Sequence, residues 1–338
     1  MRTVVFSTRS YDSEILSERN ASHRHELVFQ EPRLTPATVA LAAGFPAVCG
    51  FVNDVFDARV LEELAWHGTR LVALRAAGFN NVDLRAAAHL GIEVTRVPAY
   101  SPHAVAEFTV GLIVSLVRSI HRAHVRTRAN NFSLEGLLGQ DLHGRTVGVV
   151  GTGRIGALVA RTMAIGFGCR VLAHDVRPDP VLVNIDVRYV DLARLIAESD
   201  VVTLHCPLTP PTRHLIRSET IATMKPGALV VNTSRGALID TEAVVEALKD
   251  RQLGGLAIDV YEQEADLFFE DLSDEIVHDD TLQRLLMFPN VLITAHQAFF
   301  TRQALVAIAE STLGSISAFE RGERLENAVT EAMISARP

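Results

Sequence analysis

A glycine-rich turn between two short apolar stretches is the feature that most constrains the fold of this chain. Thr146–Val150 is a buried-strand pattern, and Gly151, Gly153 and Gly156 follow it in the spacing G-x-G-x-x-G. A second apolar run, Arg170–His174, leads to an acid. In such a turn the first glycine permits the tight bend, the second lets the backbone approach a pyrophosphate, and the third lets helix and strand pack closely. The stretch therefore predicts a strand, turn, helix, strand unit that binds a dinucleotide.

The helix and the acid of this unit refine the prediction. Apolar residues recur after the glycines at helical spacing, at Ile155, Leu158, Val159, Met163 and Ile165. The helix N-terminus would offer N–H groups and a positive dipole end to the phosphates. Asp175 lies about 20 positions after the last glycine, where an acid accepts hydrogen bonds from ribose hydroxyls and repels a 2′-phosphate. Plain structural turns also contain such glycines, but strand, helix and acid in register favour NAD, and only Arg177 could weaken that preference.

Length and composition indicate two globular domains. The chain has 338 residues, of which 48% are hydrophobic and 21% charged, and its formal charge is −8. This charge and the lack of a long basic run predict no nucleic-acid partner. The N-terminus enters a strand pattern at once, which leaves no room for a signal sequence, and no apolar run reaches bilayer length. We therefore expect a cytoplasmic protein without a membrane partner.

The three cysteines predict neither a disulfide framework nor a metal site. Cys49, Cys169 and Cys206 are far apart and share no C-x-x-C spacing, so they are interpreted as reduced core residues. Cys206 stands at a strand end where a cofactor could pass. The alternative is a packing residue whose backbone matters more than its sulfur.

Apolar strands alternate with helical patterns through most of the chain, which predicts an α/β fold of two doubly wound parallel-sheet domains. We expect a flavodoxin-like substrate domain and a Rossmann NAD domain with an interdomain cleft. The first part has expected strands at Val4–Ser7, Leu27–Phe29, Ala47–Cys49, Leu71–Leu74 and Glu93–Val97 and a helix at Ala58–His67. The second adds expected strands at Val201–Leu204, Ala228–Asn232, Gly255–Asp259 and Val291–Thr294 and helices at Leu192–Glu198 and Thr241–Lys249.

Two helices mark the expected domain boundaries. A turn between Pro98 and Pro102 precedes a long helical stretch from His103 to about Arg128, and we place the crossing into the second domain there. The last expected helix, Thr301 to about Arg321, is followed by no further expected strand. We therefore expect it to pack on the first domain. The substrate domain would comprise 1–100 and 298–338, and the NAD domain 101–297.

Three chemically active residues stand at or just past expected strand ends. Arg235, Glu264 and His296 should converge because a parallel sheet gathers its strand ends at one edge. Reduction of a 2-keto acid requires a cation that holds the carboxylate and polarises the ketone, an acid that protonates the alkoxide, and a carboxylate that keeps that acid charged. Each residue taken alone could be a surface charge or a structural group. Their joint placement beside a nucleotide site favours catalysis.

The chain resembles the D-isomer-specific 2-hydroxyacid dehydrogenases, and within that family the fermentative D-lactate branch. The resemblance covers nearly the whole chain and is carried by LRAAGFNNVDL (74–84), VPAYSPHAVAEF (97–108), GTGRIG (151–156), LHCPLT (204–209), VNTSRGALID (231–240), AIDVYEQEADLFFED (257–271) and TAHQAFFT (294–301). In HQAFF the residues after His296 are similar to the lactate branch rather than to the wider family. One departure is Phe108, where that branch often carries His.

The resemblance implies the same three catalytic roles and adds binding residues. Backbone N–H groups of Ala77 and Gly78 would hold the substrate carboxylate, and Tyr100 and Phe299 would line the pocket. The implied cofactor contacts, besides the glycines, are Arg154, Ile155, Asp175, Cys206, Pro207, Thr233 and Asp259, the last near the nicotinamide amide.

The expected activity is NADH-dependent reduction of pyruvate to the D-2-hydroxy acid. Two alternatives stay open: reduction of another 2-keto acid, such as glyoxylate, hydroxypyruvate or phenylpyruvate, and an NADH-responsive binding protein of the same fold. The resemblance also implies a homodimer or homotetramer. The stretch from His103 to Arg128 could form that interface, or bury its apolar face within one chain.

Overall fold

The computed structural model describes residues 1–331 and 333, without the side chain of Asp266. Contacts divide the chain into two compact units: unit 1 is Met1–Ser101 with Phe300–Pro338, and unit 2 is Pro102–Phe299. Both boundaries lie slightly later in the chain than expected, so Ala298 and Phe299 group with unit 2. Residues 332 and 334–338 of the expected substrate domain lie outside the described residues.

Unit 1 is built on a five-stranded parallel sheet. Its strands are β1 (Arg2–Val5), β2 (Glu26–Phe29), β3 (Ala47–Gly50), β4 (Leu71–Leu74) and β5 (Glu93–Thr95), and its helices are α1 (Ser10–Asn20), α2 (Ala58–Trp66), α3 (Leu84–His89) and, near the chain end, α12 (Arg302–Glu320). The strand order β2-β1-β3-β4-β5 is that of a flavodoxin-like sheet.

Helices cover both faces of this sheet, as buried parallel strands require. One face packs against α2 and α3 through a cluster that includes Phe56 and Leu61. The other face packs against α1 and α12, where Ile15, Leu313 and Ile316 share a buried cluster with strand residues. Helix α12 is therefore part of the core of unit 1.

Unit 2 is built on a seven-stranded parallel sheet. Its strands are β6 (Thr146–Val150), β7 (Arg170–His174), β8 (Arg188–Tyr189), β9 (Val201–Leu204), β10 (Ala228–Asn232), β11 (Leu253–Ile258) and β12 (Val291–Ile293). Its helices are α4 (Pro102–Val117), α5 (Ile120–Arg128), α6 (Arg154–Arg161), α7 (Pro180–Val183), α8 (Leu192–Glu198), α9 (Ser218–Thr223), α10 (Thr241–Lys249) and α11 (Asp280–Met287). The order β12-β11-β10-β9-β6-β7-β8 is the Rossmann order with one added edge strand. The two sheets confirm the predicted doubly wound α/β class.

The predicted single helix from His103 to Arg128 is wrong. The helix ends at Val117, Ser119 adopts a left-handed conformation with φ of 52°, and α5 starts in a direction bent by 67° from α4. The segment around Gly139 packs at the end of α4, where a side chain on Gly139 would lie 2.7 Å from the carbonyl oxygen of Val117. This close contact, together with the absence of buried residues in α5, explains why the apolar helix stops there.

Smaller differences occur at other element ends. Strand β1 starts and ends two residues earlier than predicted, and Ser7, with a positive φ of 52°, lies outside it. Ile165 does not continue the apolar face of α6, since the chain passes into a π-helical turn at Thr162–Gly166 and Ile165 is 60% exposed. The two-residue strand β8 was not predicted at all.

The three cysteines are buried and unpaired. Burial raises the pKa of the Cys49 thiol to about 12 and that of Cys169 to about 11. Across the described residues, no single helix is long and apolar enough to cross a membrane, and α4 with α5 meets that test only as the bent pair.

Candidate active site

The glycine turn between β6 and α6 is shaped by close backbone contacts. Gly151 has a φ of 90°, and a Cβ there would lie 2.6 Å from the backbone nitrogen of Cys206. A Cβ on Gly156 would lie 1.9 Å from the carbonyl oxygen of Gly151. Both positions therefore exclude a side chain for local steric reasons.

Gly153 differs from its two neighbours in the motif. It is exposed at the N-terminus of α6, and a Cβ added to it would meet nothing within 4 Å. The open space over this backbone is what a pyrophosphate needs in order to reach the N–H groups of the helix terminus. The residues present therefore fit the diphosphate of NAD.

Asp175 follows β7 and is tied to the glycine turn. Its carboxylate accepts hydrogen bonds from the backbone N–H of Thr152, at 2.6 Å, and of Arg177, at 2.9 Å. A carboxylate has about four acceptor sites, so these two bonds leave capacity for ribose hydroxyls. The side chain of Arg177 is exposed. The position of Asp175 suits recognition of NAD.

The other expected cofactor residues have different surroundings. Burial raises the pKa of the Cys206 thiol to about 11, so the thiol stays protonated near neutral pH and its backbone is what lies beside Gly151. The hydroxyl of Thr233 lies 2.8 Å from that of Thr109, a residue of α4. Of the remaining expected contacts, Arg154 and Pro207 are exposed and Ile155 is half-buried.

Three neighbouring strands of the unit 2 sheet each lead into a segment that contains one of the residues Arg235, Glu264 and His296. These residues follow β10, β11 and β12, which lie side by side at one edge of the sheet. The Nδ1 atom of His296 lies 2.8 Å from Oε1 of Glu264, and the side chains are 20% and 22% exposed. Oε2 of Glu264 accepts a hydrogen bond of 2.8 Å from the backbone N–H of Tyr261. The carboxylate is thus fixed on one side while it holds the imidazole on the other.

A buried carboxylate holds the loop on both sides of His296. Asp259 is 1% exposed and accepts hydrogen bonds from the hydroxyl of Thr294, at 2.6 Å, and from the backbone N–H groups of Gln297 and Ala298, both at 2.9 Å. Burial raises the pKa of Asp259, and these hydrogen bonds oppose that effect. His296 itself has a left-handed φ of 53° and donates its backbone N–H to the carbonyl oxygen of Asp259 at 2.7 Å. Non-glycine residues in this conformation persist only when their surroundings determine it.

The turn that carries Arg235 packs directly on the turn before Glu264. A Cβ on Gly236 would lie 2.1 Å from the carbonyl carbon of Tyr261, so only glycine permits this approach. The side-chain amide of Asn232 donates to the carbonyl oxygen of Arg235 at 2.8 Å and fixes the turn. Among the described residues, no carboxylate forms an ion pair with the half-buried guanidinium of Arg235. The Nη1 atom of this guanidinium donates a hydrogen bond of 2.7 Å to the carbonyl oxygen of Ser234.

Aromatic rings stand beside His296. The Phe269 ring centroid lies 5.7 Å from that of His296, and Phe299, which is 9% exposed, presents its edge at 6.4 Å. The remaining predicted substrate residues, Ala77, Gly78 and Tyr100, lie in unit 1 and are half-buried. Phe108, the departure from the lactate branch, packs half-buried against the core of unit 2.

Sequence reasoning missed several residues that shape this site. Asn232 is a polar residue at the end of a buried strand, and that position could have drawn attention to it. Tyr261 acts through its backbone N–H and Gly236 through a missing side chain, and neither role has a sequence signal of its own. In the described part of the chain, no group of three His, Cys, Asp or Glu side chains could hold a metal ion.

Comparisons with known proteins identify relatives over the full length of the chain. The family model "D-isomer specific 2-hydroxyacid dehydrogenase, NAD binding domain" matches residues 110–298. The 2-hydroxyacid dehydrogenase homolog 1 of Schizosaccharomyces pombe is 53% identical over 319 residues, which are 94% of this chain and 96% of that protein. The apo structure of D-lactate dehydrogenase from Escherichia coli is 48% identical, has a TM-score of 0.89, and aligns over 98% of this chain and 100% of its own. A structure described as the pyruvate reductase of Chlamydomonas reinhardtii is 43% identical, with a TM-score of 0.92 and coverage of 97% and 98%.

Proposed function

Because the chain belongs to the D-isomer-specific 2-hydroxyacid dehydrogenases and is an NAD-dependent oxidoreductase, we propose that it reduces pyruvate to D-lactate. The observation that carries this proposal is the His296–Glu264 pair on neighbouring strand ends, beside the turn of Arg235. The similarity to a D-lactate dehydrogenase and to a pyruvate reductase supports the choice of substrate.

Each of the three residues has a defined task in this reaction. NADH, when bound along Gly153 and Asp175, supplies the hydride for the carbonyl carbon. Protonated His296 gives its proton to the carbonyl oxygen from Nε2, since Nδ1 is held by Glu264. The Glu264 carboxylate stabilises the imidazolium. Arg235 stabilises the negative charge that grows on the oxygen and holds the substrate carboxylate with its planar fork.

Further residues complete the proposed site. The backbone N–H groups of Ala77 and Gly78 hold the substrate carboxylate, and Tyr100 and Phe299 shape the pocket. Arg154, Ile155, Cys206, Pro207, Thr233 and Asp259 contact the cofactor in this proposal.

We also propose that the protein acts in the cytoplasm as a homodimer or homotetramer. Support for self-association comes from a run of exposed apolar side chains in unit 2, at Ile120, Val125, Phe132, Leu134 and Leu138. Surfaces of this kind mark protein interfaces. Light scattering distinguishes these states, because one chain has a mass of 36.9 kDa.

The experiment follows NADH absorbance with pyruvate, glyoxylate, hydroxypyruvate and phenylpyruvate as substrates and determines the chirality of the product. We expect pyruvate to give the highest kcat/KM and the D-isomer to form. A higher kcat/KM for another keto acid of the panel would identify that compound, and not pyruvate, as the preferred substrate. NADH binding without turnover of any keto acid would favour an NADH-responsive binding protein instead.

The variant His296→Gln tests whether His296 is the proton donor. We expect turnover to fall about 100-fold or more while NADH still binds. His214→Gln is a matched control, because His214 lies at the same 2.8 Å from a glutamate, Glu262, in the same unit. Wild-type turnover in His296→Gln would remove His296 from the mechanism.

A further inference from the structure

An arginine that has no role in the site described above holds the loop of Ala77 and Gly78. The Nη1 atom of Arg96 donates a hydrogen bond of 2.8 Å to the carbonyl oxygen of Ala77. The guanidinium carbon lies 5.3 Å from the centroid of the Phe79 ring. We propose that Arg96 is a positioning residue for the substrate carboxylate, because it orients and polarises the Ala77–Gly78 peptide. The inference rests on the proposed function, in which the N–H groups of Ala77 and Gly78 hold that carboxylate.

Two successive peptide groups of this loop are fixed by their carbonyl oxygens. The backbone N–H of Val97 donates to the carbonyl oxygen of Ala76 at 3.0 Å, and Arg96 donates to that of Ala77. In a planar trans peptide the N–H points opposite to the C=O. The N–H groups of Ala77 and Gly78 therefore point away from the Arg96–Val97 segment. In the part of the chain that the structure describes, neither N–H donates to a protein acceptor. Two adjacent N–H donors of this kind form an anion-binding group.

The charge of Arg96 strengthens the second donor. A cation on the carbonyl oxygen of Ala77 polarises the whole amide, and hydrogen bonds in a chain reinforce one another in this way. The N–H of Gly78 is the other end of the same amide. Arg96, Ala77 and Gly78 are half-buried, so water screens the interaction less than at an exposed site. A methionine at position 96 would remove both the orientation and the polarisation.

The backbone around Arg96 is itself held in place. The N–H of Arg96 donates to the carbonyl oxygen of Asn327 at 3.1 Å, and Val329 donates to Val94 at 2.8 Å. Thr95 also forms an antiparallel bridge with Ala328. The guanidinium therefore extends from a fixed backbone, which lowers the cost of ordering the loop when the substrate binds.

The expected effect falls on KM rather than on kcat. The substrate carboxylate keeps its charge through hydride transfer, so its contacts are equally strong in the ground state and the transition state. We expect Arg96→Met to raise the KM for pyruvate about tenfold or more and to leave kcat within about threefold of the wild type. Arg96→Lys keeps the charge and one donor, so its KM should lie between those of the wild type and Arg96→Met.

Arg70→Met is the matched control. Arg70 lies in unit 1 just before β4, and its guanidinium carbon lies 5.9 Å from the Phe319 ring centroid, so the substitution removes a similar cation–π contact without touching the loop. Its KM should equal that of the wild type. The NADH dissociation constant is measured for every variant and should stay unchanged, and urea unfolding checks that each variant is folded under the assay conditions.

The outcomes separate this inference from the proposed function. A wild-type protein that reduces no 2-keto acid overturns the proposed function and this inference with it. If the wild type is active, an unchanged KM in both Arg96 variants overturns the inference alone. An equal rise of KM in Arg70→Met and Arg96→Met also overturns the inference. A fall of kcat in Arg96→Met without a change in KM overturns it as well. If Arg96→Met does not fold, Arg96→Lys decides between these outcomes by the same KM measurement.

Discussion

At the scale of single residues, His296 is held through its ring and its backbone by two different acids. Glu264 binds the ring nitrogen Nδ1, and the buried Asp259 binds the loop on both sides of the residue. The first contact acts on the charge of the imidazole and the second on its position. Substitutions at the two acids should therefore have different consequences.

Glu264→Gln tests the effect of the carboxylate charge. In the proposed reaction His296 gives a proton to the substrate, and the charge of Glu264, 2.8 Å from Nδ1, stabilises the imidazolium. With a neutral amide at position 264 that stabilisation is lost, so kcat/KM for pyruvate should fall about tenfold or more. The measurement is steady-state kinetics with saturating NADH. Glu262→Gln, which changes the similar pair with His214, should keep the wild-type kcat/KM. A wild-type kcat/KM in Glu264→Gln would contradict the pairing.

The lowered pKa of His205 predicts how the free energy of unfolding changes with pH. Burial lowers the pKa of His205 to about 4, whereas an exposed histidine has a pKa of about 6.5. Between these values the unfolded chain binds a proton that the folded chain does not, so the free energy of unfolding falls as the pH drops from about 6.5 toward 4. His205→Gln should reduce the difference in stability between pH 7 and pH 5 by on the order of 1 kcal/mol. Urea unfolding at the two pH values measures it, and an equal difference in both proteins would refute the assignment.

Residue types at strand ends were sufficient to propose Arg235, Glu264 and His296, because parallel sheets gather those ends at one edge. The same reasoning could not find Arg96. Its partner is the backbone oxygen of Ala77, and a hydrogen bond between a side chain and a distant carbonyl leaves no pattern in the sequence.

At the scale of elements, the turn between β6 and α6 contains one glycine that close packing requires and one that faces open space. A side chain on Gly156 would clash with the backbone of Gly151, whereas one on Gly153 would meet only open space. Alanine at the two positions should therefore affect different properties of the protein.

Gly156→Ala should lower the free energy of unfolding by about 1–3 kcal/mol, because the methyl group overpacks the turn. Gly153→Ala should change it by less than about 1 kcal/mol, since its φ of −64° suits alanine. The NADH dissociation constant of Gly153→Ala should rise about tenfold or more, because the methyl group occupies the approach of the pyrophosphate. Urea unfolding and NADH fluorescence titration measure these effects. Wild-type NADH affinity in Gly153→Ala would show that the diphosphate binds elsewhere.

Buried strands were the elements most accessible from sequence. Leu71–Leu74 and Val201–Leu204 were placed without error, because strands covered on both faces are continuous apolar runs bounded by turns. The break at Ser119 could not be predicted, since it depends on how the Gly139 segment packs at the end of α4. The two-residue strand β8 is too short to leave an apolar run.

At the scale of the whole molecule, cofactor binding should increase the free energy of unfolding. A ligand that binds only the folded chain raises the free energy of unfolding by about 2.7 kcal/mol at 100 times its dissociation constant. We expect NADH to shift the urea midpoint in this way. NADPH at the same concentration should give a much smaller shift, because Asp175 repels the 2′-phosphate. Equal shifts from the two cofactors would contradict the role given to Asp175.

The overall architecture could be predicted because two strand–helix alternations, only one of them with a glycine motif, occur in a chain of 338 residues. Preference for pyruvate and the chirality of the product could not be derived from patterns. They depend on how the substrate is oriented against the cofactor, and a pattern of residue types does not encode that orientation.

The burial of all three thiols has a practical consequence for spectroscopy. Maleimides react with an accessible thiolate, and the raised pKa values of Cys49, Cys169 and Cys206 disfavour that form. A cysteine introduced at an exposed position, such as Met287 with 83% exposure, should therefore accept a single fluorophore. Site-specific labelling would then need no prior removal of native cysteines.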